Sequence, residues 1–157
     1  MRQGASSEMA VAADLDRATD STWDDWVGEQ TRTYLASNGA VGHDNDGVRM
    51  LVLVTSGRTT GHPRRTLLIY GTSRDDFVVV ASKGGSDKDP DWFKNLQSDP
   101  RVGVQAGARR VTCRARLATP AEREELWARM VGIFPLYEEY SHATDRQIPI
   151  VLLTPED

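Results

Sequence analysis

Three observations predict an α+β, mainly β domain built as a small antiparallel barrel with helices packed around it. Apolar strand patterns follow one another with links of hairpin length. The spacing of strands and helices does not repeat as βαβ crossovers. At 157 residues the chain fits a single domain large enough to bury a real core.

Residues 1–20 carry small and charged side chains with little apolar pattern and read as a mobile leader, leaving 21–157 as the domain. Ser21 or Thr22, followed by Asp24 and Asp25, starts a helix over 21–38, which Ser37-Asn38-Gly39 ends. Trp23, Trp26, Val27, Gln30 and Tyr34 recur at helical spacing and predict an aromatic face turned to the domain. Acids rather than lysines occupy the polar face, so packing is favoured over peripheral membrane contact, which stays open as an alternative. Met50-Leu51-Val52-Leu53-Val54 is a continuous apolar run, as in a strand buried on both faces. Strands at 66–70 and 77–81 flank a polar turn. Asp89 then caps a short helix with Pro90 at its first position, Trp92, Phe93 and Leu96 facing inward, and Asp99-Pro100 closing it. A hairpin about Ala106-Gly107-Ala108 joins strands at 101–105 and 109–117. Thr119-Pro120-Ala121-Glu122 is a capping box that launches a helix with Leu126, Trp127, Met130 and Val131 on one side, and 148–153 forms the last strand.

Composition narrows the function classes. With 39% hydrophobic and 27% charged residues and no long apolar run, the chain reads as globular without an integral membrane segment. The beginning does not read as a secretory signal. The lone Cys113 cannot form an internal disulfide, which fits a cytoplasmic location. His43, His62 and His142 are scattered, so no metal site is expected. A net charge of −4 argues against nucleic-acid binding. Yet Arg49, Arg58, Arg64, Arg65 and Arg74 fall in a stretch, 47–74, without Asp or Glu. They either hold an anion or are solvated strand-edge charges.

Three segments can carry chemistry. Thr55-Ser56-Gly57-Arg58-Thr59-Thr60-Gly61-His62-Pro63-Arg64 lies between two strands and combines glycines, hydroxyls and arginines, the ingredients of an anion-binding nest. It lacks both the Walker ending and a G-x-G-x-x-G pattern, and as a bare pattern it is weak, with an ordinary Gly-rich hairpin the favoured reading. Ala81-Ser82-Lys83-Gly84-Gly85 leads from a strand into a helix start, where loop amides and the helix dipole favour an anion; a merely flexible loop is the alternative. Tyr137 and Tyr140, after Phe134-Pro135, share one side of a helical turn, as core residues or as stacking and proton-donating groups.

These segments, with Pro-Asp-Trp-Phe-x-Asn-Leu at 90–96, Thr-Pro-x-Glu-Arg at 119–123 and Tyr-Glu-Glu-Tyr…Thr-Asp-Arg-x-Ile-Pro at 137–149, resemble the deazaflavin (coenzyme F420)-dependent nitroreductase family. The resemblance spans about 45–155 and implies a split β-barrel of the FMN-binding-like, flavin-reductase-like superfamily. It implies an F420H2-dependent reductase passing a hydride to a small electron acceptor such as an enone, quinone or nitro compound. Cofactor contacts are implied for Ser56, Arg58, Thr59, Thr60, Gly61, Pro63, Arg64, Ser82, Lys83, Gly84, Trp92 and Asn95. Tyr140, Tyr137 and Ser82 are implied as catalytic, with Phe134 in the substrate pocket. Thr59 stands where the family often has Lys, and Phe134 where the best-known nitroreductase has a tyrosine, which argues against nitroimidazole reduction. The rival readings are an FMN-dependent oxidoreductase of the same barrel, a non-catalytic F420 carrier, and a lipid- or partner-docking module using the Trp23/Trp26 helix. Related barrels often pair, so a homodimer stays open.

Overall fold

The computed structural model describes residues 14–20 and 25–156. Its strands are β1 (Thr19–Asp20), β2 (Asp44–Asn45), β3 (Val48–Ser56), β4 (Pro63–Ile69), β5 (Gly71–Ser73), β6 (Asp76–Val80), β7 (Arg101–Ala106), β8 (Arg109–Leu117) and β9 (Ile150–Pro155). Its helices are α1 (Asp25–Ala36), α2 (Asp91–Ser98), α3 (Pro120–Ile133) and α4 (Leu136–His142), with a 3-10 turn at Lys83–Gly85. The strands form one sheet ordered β1-β4-β3-β7-β8-β9-β6-β5, with β2 on the flank of β3. Every pairing is antiparallel except that of β1 with β4. The sheet curls around a shared core without closing, which is the split-barrel arrangement expected.

Side chains alternate across a strand, and here both faces are used. Leu51 and Leu53 of β3, Phe77 and Val79 of β6, and Val151 and Leu153 of β9 point into the barrel, where Trp92, Phe93 and Leu96 of α2 plug one side. The intervening Val78, Val80, Ile150 and Leu152 meet Leu126 and Met130 of α3 and Tyr137 of α4. Val52 and Val54 meet Tyr34 of α1 and the N-terminal Leu15 and Ala18. The continuous apolar runs follow from this: helices cover the outer face, so no position alternates to solvent.

Local signals read from the sequence hold where the chemistry is local. Both bonds of the capping box form, Glu122 N–H to Thr119 Oγ1 at 3.2 Å and Thr119 N–H to Glu122 Oε1 at 2.8 Å. Asn38 and Gly39 both turn left-handed after α1, with φ of 55° and 83°. A Cβ on Gly39 would collide with the backbone of Gly107, so no other residue fits there.

Three expectations are corrected. Residues 14–20 do not behave as a free leader: Leu15 is fully buried, and Thr19 and Asp20 pair with Arg64 and Arg65. The rest of the leader, residues 1–13, and the helix start at 21–24 with Trp23 lie outside the described residues. Trp26 is 63% exposed rather than part of the inner face; α1 instead docks through Tyr34, whose hydroxyl donates to the Met50 carbonyl at 2.9 Å and accepts from Gly107 N–H at 2.7 Å. Finally, Pro90 is itself the cap residue of α2, and Asp89 makes no capping bond because its carboxylate is taken by Arg146 at 2.9 Å.

Candidate functional site

The tight connection between β3 and β4 folds on its own backbone. Gly57 N–H donates to the His62 carbonyl at 2.9 Å and Gly61 N–H to the Gly57 carbonyl at 2.7 Å, with Gly61 at φ 77°. That closes the turn and pushes Arg58, Thr59 and Thr60 outward. Arg58 is then fixed by α2: its N–H and Nη1 both donate to Asn95 Oδ1, at 3.2 and 2.8 Å, and Nη2 reaches Asp91 Oδ1 at 3.3 Å. Asn95, 1% exposed, is held in turn by donating to Thr55 Oγ1 at 3.1 Å.

Between this turn and the first turn of α2 lies a cavity of about 230 Å³, lined by residues 57–60, Arg64, Asp91 and Asn95. Arg64 is half-buried there and, among the described residues, has no carboxylate or hydrogen-bond partner. A guanidinium so placed keeps its full capacity for a bidentate anion. Asp91 also lines the cavity, but Arg58 offsets its charge. Of the five arginines in the basic stretch, Arg65 serves the N-terminal segment, Arg49 lies 5.1 Å over the Tyr70 ring and Arg74 lies in the turn between β5 and β6, away from this cavity, so the anion-holding reading narrows to Arg58 and Arg64.

The second turn feeds the same helix. Lys83, Gly84 and Gly85 are all left-handed, with φ of 47°, 64° and 85°. For Lys83 this costs on the order of 1 kcal/mol, which surrounding contacts must hold in place. Arg146 does so. Its Nη2 donates to the Ser82 and Ala81 carbonyls at 2.8 and 3.1 Å, its Nε to the Ser86 carbonyl at 2.7 Å, and its Nη1 pairs with Asp89 at 2.9 Å. The Ser82 hydroxyl makes no capping bond, and no ion pair engages Lys83 among the described residues. α4 packs directly on this turn, since a Cβ at Gly85 would approach the Tyr140 backbone to 3.2 Å and the Ala143 Cβ to 3.1 Å.

The 57–64 turn thus meets α2 through Arg58, the 82–86 turn precedes α2 in the chain, and α4 packs on the 82–86 turn. Arg58, Thr59, Thr60 and Arg64 line the cavity, and Gly61 shapes its turn; Ser82, Lys83 and Gly84 lie in the second turn; Tyr140 and Phe134 are both half-buried, with ring centroids 6.3 Å apart. Of the expected contact residues, Ser82 is buried in its turn, and four more are buried elsewhere. Trp92 lies edge-on to Phe93 inside the barrel, Asn95 braces Arg58, and Ser56 and Pro63 lie in the strand ends. Tyr137, 4% exposed, packs against Phe134 at 5.0 Å, and burial followed by the neighbouring Tyr140 pushes its hydroxyl pKa well up, so it stays neutral. Arg146 was not singled out from the sequence as a site residue, although the Thr-Asp-Arg run lay within the family resemblance.

Against known proteins, the family model for F420H(2)-dependent quinone reductase matches residues 26–155. The chain belongs to that family. An F420H(2)-dependent quinone reductase of Mycobacterium tuberculosis is 35% identical over 127 residues, covering 77% of this chain and 84% of the relative. A solved F420-H2 dependent reductase superposes with a TM-score of 0.62 at 34% identity, over 66% of this chain and 92% of that one. Another solved structure, described as a domain-swapped dimer, gives 0.63 at 35% identity over 82% and 97% of the two chains. This family member is an oxidoreductase that uses reduced coenzyme F420, which decides against FMN and against a carrier without turnover. The site fits such a cofactor, for its free cation and two outward hydroxyls suit an anionic tail. Among the described residues no helix is long and apolar enough to cross a membrane, and no group of side chains could hold a metal ion.

Proposed function

We propose that this chain delivers a hydride from reduced F420 to a quinone, gripping the cofactor's phosphorylated tail between the 57–64 and 82–86 turns. The observation that carries this reading is Arg64, an unpartnered guanidinium in a cavity beside a locked Arg58 and a helix start, in a chain of this family. When bound, the reduced cofactor supplies the hydride. The protein's own task is positioning, exclusion of water and control of charge. Arg58, Arg64 and Lys83 hold the anionic end, with Thr59 and Thr60 presenting hydroxyls; Trp92 and Asn95 act from beneath, as the packed support of Arg58.

Addition of a hydride to a quinone leaves negative charge on its oxygen, and a proton completes the hydroquinone. Tyr140 is the proton donor we assign, with the Ser82 hydroxyl assisting, while the buried Tyr137 and Phe134 fix the Tyr140 ring at centroid distances of 6.4 and 6.3 Å. Phe134 brings no hydroxyl to the pocket, in keeping with a quinone rather than a nitroimidazole acceptor. The naming of the M. tuberculosis relative supports the same acceptor. We further place the chain in the cytoplasm, where the buried thiol of Cys113 stays reduced, and assign it as a homodimer on the strength of the dimeric neighbour.

The test is re-oxidation of F420H2 by a simple naphthoquinone, followed by absorbance. The wild type should turn over, and Tyr140→Phe should lose about tenfold or more in turnover with cofactor affinity within twofold, because a positioned proton donor contributes about 10²–10⁴-fold. Cofactor binding without oxidation across a panel of quinones would overturn the assignment.

A further inference from the structure

None of the described N-terminal residues lines the cavity, yet the segment is tied to the strand that carries the cavity's free cation. Thr19 and Asp20 run parallel to Arg64 and Arg65, in direct register. The Thr19 hydroxyl lies 2.8 Å from His62 Nε2, and His62 sits between Gly61 and Pro63 in the cofactor turn. The Asp20 carboxylate accepts from Arg65 Nε and from Arg32 Nη1, both at 2.7 Å, so it joins β4 to α1. Arg65 donates again, to the Leu15 carbonyl at 2.8 Å, and Leu15 is fully buried against Val52 and Val54. Successive residues of a strand face opposite ways, so anchoring Arg65 on the covered face sets the direction of Arg64 toward the cavity.

We infer that residues 15–20 are a positioning strap: they orient His62, Pro63 and Arg64 for the cofactor's anionic tail without contacting it. This rests on the assignment of Arg64 to that tail. Without the strap, β4 would be a bare edge beside a short glycine turn, and Arg65, whose side chain is 12% exposed, would hold a charge with no partner. The segment's own sequence gives it little strand propensity, so its order derives from these contacts, and the contacts are therefore where the cofactor turn can be loosened.

The experiment is a double-mutant cycle between Asp20→Asn and Arg64→Ala in the full-length chain, read as the fluorescence-titrated Kd for oxidised F420. Asp20→Asn should weaken binding about fivefold in the wild-type background, within the range for coupled contacts, and less than twofold in the Arg64→Ala background. Its turnover at saturating cofactor should stay within twofold of wild type. Thr19→Val, which removes one exposed hydrogen bond and leaves the core intact, should weaken binding about twofold and supplies the cycle if Asp20→Asn does not fold. Equal losses in both backgrounds would overturn the strap, since it would then act through general stability. Arg64→Ala with unchanged affinity would overturn the cofactor assignment itself, and the strap's role with it.

Discussion

Arg146 offers a severe test of how the second turn is held, because one side chain fastens four points of it. Replacing Arg146 by Ala removes its bonds to the carbonyls of Ala81, Ser82 and Ser86 and leaves the Asp89 carboxylate alone. The guanidinium is only 15% exposed, whereas Asp89 is 35% exposed, so water can take over part of what is lost on the Asp89 side. A hydrogen bond from a charged donor is worth about 1.5–3 kcal/mol, and solvent re-entry at the carbonyls recovers much of that, so the net loss comes to about 3 kcal/mol. For a chain of this size that is a fall in Tm of roughly 6–12 °C. Because the same bonds hold Lys83 left-handed, F420 affinity should drop by about tenfold, more than the loss of stability alone produces in a still-folded protein. Arg146→Lys keeps the charge but not the fork and should recover less than half of the Tm shift. Thermal unfolding by circular dichroism, with an F420 titration below Tm, reads both quantities. A shift under about 2 °C with unchanged affinity would refute the bracing role and the magnitude derived from it.

Two further outcomes follow from the geometry. Gly85→Ala places a methyl 3.1–3.2 Å from Ala143 and the Tyr140 backbone at φ 85°, so it should displace α4, lower stability by about 1–3 kcal/mol and reduce turnover; an active, fully stable variant would show that α4 does not rest on this turn. The Glu122 carboxyl is held down to about 2 from 4.5, first by the Arg116 fork and then by the Thr119 amide. A carboxyl lowered by folding stabilises fully above its ordinary value, so this contribution is present above pH 4.5 and disappears as pH falls toward about 2. Tm measured across that window should therefore fall more steeply for the wild type than for Glu122→Gln, and parallel curves would contradict the linkage.

What was readable in the sequence was what neighbours in sequence decide. The capping box and the stop at Asn38-Gly39 rest on bonds and backbone turns set within a few residues, and the continuous apolar run of β3 marks a strand covered on both faces. The turns at 57–64 and 82–86 stand out for the same reason, since glycines and cations cluster at strand ends. Failures came where distant partners decide. Thr19 and Asp20 form a two-residue strand only because β4 offers an open edge and Arg65 a charge. Asp89 had the position and chemistry of a cap, but Arg146, 57 residues away in sequence, claims its carboxylate. Trp26 sat on the right helical stripe, yet α1 docks through the Tyr34 hydroxyl and the backbone about Gly107, leaving the indole outward. Tyr137 and Tyr140 looked equivalent; the packing of α3 buries one and leaves the other partly open.

Both turns are proposed to grip one anionic tail. The most direct measurement is the F420 dissociation constant as a function of salt for the wild type, Arg64→Ala and Lys83→Ala. Each substitution should weaken binding about tenfold at low ionic strength, about 1.4 kcal/mol, and each should flatten the salt dependence, because a screened charge contact has been removed. If Lys83→Ala leaves both affinity and salt dependence as in the wild type while Arg64→Ala changes them, the two turns do not serve the same group and the account is wrong.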